Sequence, residues 1–178
     1  NTYRYDYDVD TNNDGTNDKT LKGLDSLGVP AAITLTGGLS SDTNQAPVLT
    51  GLTVSASSVD VSSGAQVIKF TPTATDTDGI RWEQWKSYVQ VKSPQNEYRY
   101  LHFSAKGDHS AYLTLKPTDV NGNWEITRVD LTDFANQSSN TYRYDYDVDT
   151  NNDGTNDKTL KGLDSLGVPA AITLTGGL

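Results

Sequence analysis

Apolar residues recur with a period of two over short runs, and the runs are separated by polar stretches rich in Gly, Pro, Asn and Asp. Val67–Thr75 alternates, with Ile68, Phe70 and Ala74 on one face; Tyr98–Phe103 and Ala111–Leu115 alternate likewise. Val48–Ala56, Trp82–Val91 and Trp124–Leu131 are strand-like, the last with an apolar phase that slips between Ile126 and Val129, as at a β-bulge. Tyr142–Val148 alternates strictly: Tyr142, Tyr144, Tyr146 and Val148 lie on one face, Arg143, Asp145 and Asp147 on the other. Ala171–Thr175 is a last short strand. Such alternation marks half-buried strands. Turns fall at Ser57–Gly64, Asp76–Gly79, Lys92–Glu97 and Asp119–Asn123. Strands and turns at this spacing predict an all-β chain, an Ig-like β-sandwich of about seven to eight strands. One segment departs from the pattern. Leu160, Leu163 and Leu166 recur every three residues, Asp157 is placed to cap the start, Gly167 to take the left-handed position after the end, and Pro169 forbids continuation. This predicts one short helix over Lys158–Leu166.

The chain repeats itself. Residues 140–178 are residues 1–39 letter for letter. A shared fold tolerates drift at surface positions, so identity of this length points to recent duplication in a tandem array whose period is domain-sized. One whole period, 40–178, then follows the tail of the period before it. Residues 1–39 read as the C-terminal tail of a preceding repeat, 40–47 as an interdomain linker ending in Pro47, and 46–178 as the sandwich. The tail copy 1–39 is expected to be loosely attached, to engage another chain, or to displace 140–178. There is no Met, even at position 1, so the chain reads as a piece of a longer polypeptide.

Charge and composition narrow the partners. The net charge of −9 argues against nucleic acid and anionic membrane, both of which need a basic face. No apolar run approaches the ~18 residues of a transmembrane helix, which argues against membrane insertion. With no Cys, disulfides and thiolate chemistry are excluded. Of the 23 acidic residues only Glu83, Glu97 and Glu125 are glutamates. Asp belongs to turns, caps and cation loops, so its excess beside Thr, Ser, Asn and Gly suggests an extracellular module with calcium in its loops.

Asp149-Thr-Asn151-Asn-Asp153-Gly154-Thr155-Asn-Asp157 is the most informative stretch, and its twin carries Asp10, Asn12, Asp14, Gly15, Thr16 and Asp18. Oxygen side chains at positions 1, 3 and 5 converge if the loop curls around one point. Glycine at position 6 permits the reversal, Thr155 offers a carbonyl, and Asp157 another carboxylate. Six to eight hard oxygens suit Ca²⁺ better than Mg²⁺. Asp145 and Asp147 are candidate further ligands. The pattern resembles the first nine positions of an EF-hand loop and the acidic repeats of the type-three thrombospondin kind. Leu160 stands where an EF-hand has its bidentate Glu, and a strand precedes the loop instead of a long helix, so an EF-hand sensor is rejected. The competing reading is a cluster of Asx-turns holding no metal. Asp42-Thr-Asn44-Gln-Ala-Pro47 resembles the linker of cadherin-type repeats, and Asp76 and Asp78 within Ala74–Gly79 resemble a cadherin calcium signature. The resemblance implies an ion bridging successive domains; the plain alternative is two Asp-rich turns. Asp133-Phe-Ala-Asn136 resembles the terminal turn of bacterial Ig-like repeats, with Ala135 in place of Gly, and is either a ligand or only a turn.

Catalytic chemistry has few candidates. His102 and His109 are the only histidines and lack neighbouring ligand patterns, there is no G-x-S-x-G, and no phosphate-binding Gly loop appears. The chain is expected to be a non-enzyme. Trp82, Trp85 and Tyr88 are candidate sugar-stacking residues. Against this, Trp82 or Trp85 fills the core, as a Trp does in Ig folds, and the tyrosines pair across strands.

Together A-P-V-L at the start of the period, V-D-V-S-S-G-A-Q, T-D-T-D-G, N-G-N-W-E-I and L-G-V-P-A-A-I-T-L-T-G at its end resemble the tandem Ig-like repeats of very large bacterial surface adhesins, the repeats-in-toxin and biofilm type. The resemblance implies a structural extender on the bacterial cell surface, rigid when calcium is bound, secreted by a type I route, and partnered by identical repeats in the parent chain. A carbohydrate- or protein-binding adhesin module is the alternative function.

Overall fold

The computed structural model describes residues 5–13, 15–28, 45–83 and 85–178. The described residues are all-β: they form thirteen strands and no helix. The chain divides into two compact units, Asn1–Gly38 and Leu39–Leu178. In the first, β1 (Tyr7–Val9) pairs antiparallel with β2 (Lys19–Leu21), Tyr7 opposite Leu21.

The second unit carries eleven strands: β3 (Val48–Val54), β4 (Ser58–Asp60), β5 (Gln66–Thr75), β6 (Tyr88–Lys92), β7 (Tyr98–His102), β8 (Ala111–Leu115), β9 (Gly122–Thr132), β10 (Ser138–Tyr142), β11 (Tyr146–Val148), β12 (Lys158–Leu160) and β13 (Ala171–Thr175). One sheet has the order β3-β5-β8. The other runs β4-β13-β9-β6-β7, with β10 also on β9. The length of β9 permits this: β13 takes Gly122–Glu125 and β10 takes Arg128–Thr132. Among the described residues only β13 and β4 pair in parallel; β11 and β12 form a separate antiparallel ladder.

Alternation explains the core. Ile68 and Phe70 of β5 and Leu113 and Leu115 of β8 come from one sheet; Val89, Val91, Trp124, Ile126, Val129, Leu131, Ile172 and Leu174 come from the other. All belong to one buried cluster. Burying each such side chain contributes about 1.5–3 kcal/mol. The slip in β9 is a bulge: Gln90 faces Arg128 while Val91 faces Ile126, leaving Thr127 unpaired in the ladder. The Thr127 hydroxyl donates to the carbonyl and side-chain oxygens of Gln90 at 3.2 and 2.8 Å. The core tryptophan is Trp124, 2% exposed, its Nε1 donating to the Val120 carbonyl and the Arg99 guanidinium lying 4.4 Å from its ring centre. Neither Trp82 nor Trp85 takes that place.

The helix expected over Lys158–Leu166 is not formed. Lys158–Leu160 is β12, and Leu163–Gly167 is a turn, with Leu166 N–H donating to Gly162 O and Val168 N–H to Leu163 O. Thr159 and Gly162 are poor helix formers, and Thr159 instead bonds Asp147 across the ladder at 2.6 Å. Of the three leucines Leu163 alone is fully buried; Gly167 does take the left-handed conformation, at φ 72°. Tyr142–Val148 is likewise two strands, broken where Arg143 turns its guanidinium onto the carbonyls of Val168 and Pro169. Trp82–Val91 narrows to β6, because Lys86 N–H donates to Glu83 O instead of to a neighbouring strand.

Candidate functional site

The acidic loops and the Asp76–Gly79 turn were all expected to hold cations, and the loops and the turn are built differently. In the 149–157 loop the carboxylates are occupied by the loop itself. Asp149 Oδ1 accepts the N–H groups of Asn152 (2.6 Å) and Asp153 (3.2 Å), and Oδ2 that of Gly154 (2.7 Å). Asp157 accepts from Thr150 N–H at 3.0 Å and from its hydroxyl at 2.9 Å. Asp153 accepts Thr155 N–H (2.8 Å) and Asn151 Nδ2 (3.1 Å). These bonds, led by the Gly154 N–H at Asp149 and the Thr150 N–H at Asp157, pull both carboxyls below their ordinary pKa. The reversal uses left-handed backbone at Asn152 (φ 61°) and Gly154 (φ 88°). Asx-turns therefore order the loop.

The first copy folds the same way. Asp10 accepts from Asn13 N–H (2.6 Å) and Gly15 N–H (2.8 Å), and Asp18 from Thr11. Thr16 and Asn12 belong to the same turn, while Asp14 lies outside the described residues. Asp147 faces Thr159, and Asp145 accepts Gly162 N–H at 2.6 Å, at the far end of the ladder from the loop. The structure thus spreads Asp145, Asp147 and Asp149 along the hairpin. Among the described residues no three Asp, Glu or His side chains converge as a metal cluster would.

The turn at Asp76–Gly79 differs. Asp76 Oδ1 accepts Asp78 N–H at 2.8 Å. Opposite it runs Asp133–Asn136: Ile80 bridges to Asp133, Phe134 N–H donates to Gly79 O at 3.1 Å, and Arg81 N–H to Thr132 O at 2.7 Å. Asp133 is 0% exposed. Its Oδ1 accepts Gln137 N–H at 2.7 Å, but Oδ2, and Asp78 Oδ2, are sealed from solvent without a hydrogen-bond partner among the described residues. A buried carboxylate oxygen left unpaired is costly, and in native proteins it calls for a bound ion or water. The loop carboxylates have hydrogen-bond partners; these two oxygens have none among the described residues. Val48 pairs with Thr75, so the chain enters the unit beside Asp76. Asp42 and Asn44 lie outside the described residues.

The aromatic candidates separate. Trp82 stacks on His109 (4.7 Å between centres) and meets Phe103 edge-on at 5.7 Å, packed against the core. Trp85 is 76% exposed. Tyr88 sits on β6 with its hydroxyl accepting from Arg128 Nη2 at 2.9 Å. Asp130, which sequence reasoning passed over, lies beside it, 7% exposed, its carboxyl pushed up by burial. Its only sequence signal is a charged letter in an apolar strand. No family model, curated protein or solved structure matches the chain.

Proposed function

We propose that the chain is part of a calcium-stabilised tandem array, a structural extender of a bacterial surface adhesin whose repeating unit is an Ig-like β-sandwich. The observation that carries the array is the position of the duplicated tail. Its copy at 140–178 supplies β11, β12 and β13, and β13 lies inside the sheet, between β4 and β9, with Ile172 and Leu174 in the core. The tail is an integral part of a folding unit, so an identical tail at 1–39 belongs to a unit before it. The sequence period 40–178 and the compact unit Leu39–Leu178 run together.

Calcium is supported by the unpaired oxygens of Asp78 and Asp133. Such an ion would neutralise both carboxylates and tie the turn after β5 to the end of β9, beside the point where the chain enters the unit. A site of extracellular strength, ~10⁻⁴–10⁻³ M, is loose at intracellular calcium and filled outside. Thermal melting in 10 mM calcium against chelator tests this. The midpoint should rise by about 3–10 °C. Asp133→Asn should remove most of the rise while keeping the bond to Gln137, and Asp153→Asn should remove little. An unchanged wild-type midpoint discards the ion; a rise lost only in Asp153→Asn moves it to the loop.

A further inference from the structure

The outer face of the larger sheet is built unlike the rest of the molecule. Register places His102, Tyr88, Asp130 and Asn140 in one row across β7, β6, β9 and β10. The adjacent row is Tyr100, Gln90, Arg128 and Tyr142. Alternation points all of them away from the core, since Val89, Leu101, Val129 and Thr141 between them face inward. Tyr88 meets Tyr100 edge-on at 5.4 Å and His102 at 5.7 Å. The Arg128 guanidinium lies between Tyr88 and Tyr142, 6.0 and 5.8 Å from their centres.

Trp85 stands at the end of this face. It directly precedes Lys86, whose N–H donates to Glu83 O, and has φ 73°. That position favours Gly or Asn, and a bulky side chain there is strained. The strain is not repaid by burial, because the indole is 76% exposed and leans on His102 at 4.8 Å. Backbone strain that packing does not explain is a mark of a working surface. Between Trp85, Tyr88 and Asn140 lies a concavity of about 310 Å³ with Asp130 in its lining.

The charges choose the ligand. Arg128 Nε lies 2.9 Å from Asp130 Oδ1, and Lys92 Nζ 2.9 Å from Glu125, so these charges are paired within the face; Lys86, exposed in the lining of the concavity, adds one positive charge, although the chain as a whole carries −9. A patch of aromatic rings and planar amides with so little net charge suits a ligand with apolar ring faces and many hydroxyls. We propose that this face is a binding platform for a neutral oligosaccharide, with Trp85 and Tyr100 as stacking residues and Asp130 and Asn140 as hydrogen-bonding ones. The proposal goes beyond the extender reading and does not depend on calcium.

Affinity electrophoresis of the full chain in gels of neutral glucan, mannan or chitin-derived polymer tests it, with soluble hexasaccharides titrated against tryptophan fluorescence. At least one neutral polymer should retard the chain. Trp85→Ala and Tyr100→Ala should each lower affinity by about tenfold or more. Tyr112→Ala, exposed on β8 of the other sheet, should change nothing, and circular dichroism should show all three variants folded. The proposal fails if no neutral polymer retards the chain, if heparin or polygalacturonate binds more tightly, or if Trp85→Ala and Tyr100→Ala bind like wild type. Should Trp85→Ala fail to fold, Tyr100→Ala and Asn140→Ala decide by the same criterion.

Discussion

Asp residues that look alike as letters do unlike work. Asp133 is sealed inside the unit, Asp149 caps a turn with both oxygens, and Asp108 pairs with a lysine. The motif spacing D-x-N-x-D-G was legible because it is local; loops of that shape close by bonds between neighbours. The isolation of Asp78 and Asp133 was not, because it arises where two segments far apart in the chain meet. Asp108 shows how far a single pairing reaches. The Lys69 ammonium, and then Ser110, hold its carboxyl down at about 2. Since this lies below the unfolded value of 3.8, the pairing stabilises the fold above about pH 4 and is lost as pH falls toward 2. Carboxyl resonances followed by NMR should give Asp108 an apparent pKa near 2, and Lys69→Met should return it toward 3.8. An Asp108 titrating near 4 in the wild type would remove the pairing.

Several short strands were readable one by one: Ala111–Leu115 and Ala171–Thr175 form where the pattern put them, and the stretch read as Val48–Ala56 forms over Val48–Val54, whereas Tyr142–Val148, the one read as strictly alternating, splits into two strands. The helix over Lys158–Leu166 failed because a spacing of three leucines carries no information about which neighbour buries each. Leu160 ends a strand, Leu163 enters the core, and Leu166 packs at its margin. What fixes this segment is backbone contact. Leu163 N–H donates to Tyr142 O at 2.8 Å and Asp164 N–H to Arg143 O at 3.0 Å, so the strap lies along the break between β10 and β11. Gly162 makes the approach possible, since a Cβ there would sit 2.3 Å from the Tyr144 carbonyl carbon and 2.5 Å from its oxygen. Gly162→Ala should therefore cost about 2–4 kcal/mol. Gly154→Ala, whose Cβ would meet nothing within 4 Å, carries only the strain of its φ of 88°, about 1 kcal/mol. Urea melts of the two variants should rank in that order; equal losses would mean that the close packing at Gly162 is not what holds the strap.

The duplicated tail joins sequence to architecture at the scale of the whole chain. The identity of 1–39 and 140–178 needed no structure to be seen, but nothing in it told whether the tail is a spacer or a part of the fold. A spacer would leave the unit intact when removed. Here β13 is hydrogen-bonded on both sides, parallel to β4 and antiparallel to β9, and Leu178 exchanges backbone bonds with Asp119 and Asn121. Removing 171–178 takes Ile172 and Leu174 from the core, opens the edge of β9 and leaves β4 unpaired. Each lost core side chain costs about 2–5 kcal/mol, which together reaches the whole stability of an ordinary domain. A chain of residues 39–170 should thus show the narrow amide spectrum of an unfolded polypeptide, whereas 39–178 should fold alone and melt with the full-length chain. Well-dispersed amides from 39–170 would show that the tail only decorates the unit, and the tandem register, with one tail closing each repeat, would have to be redrawn.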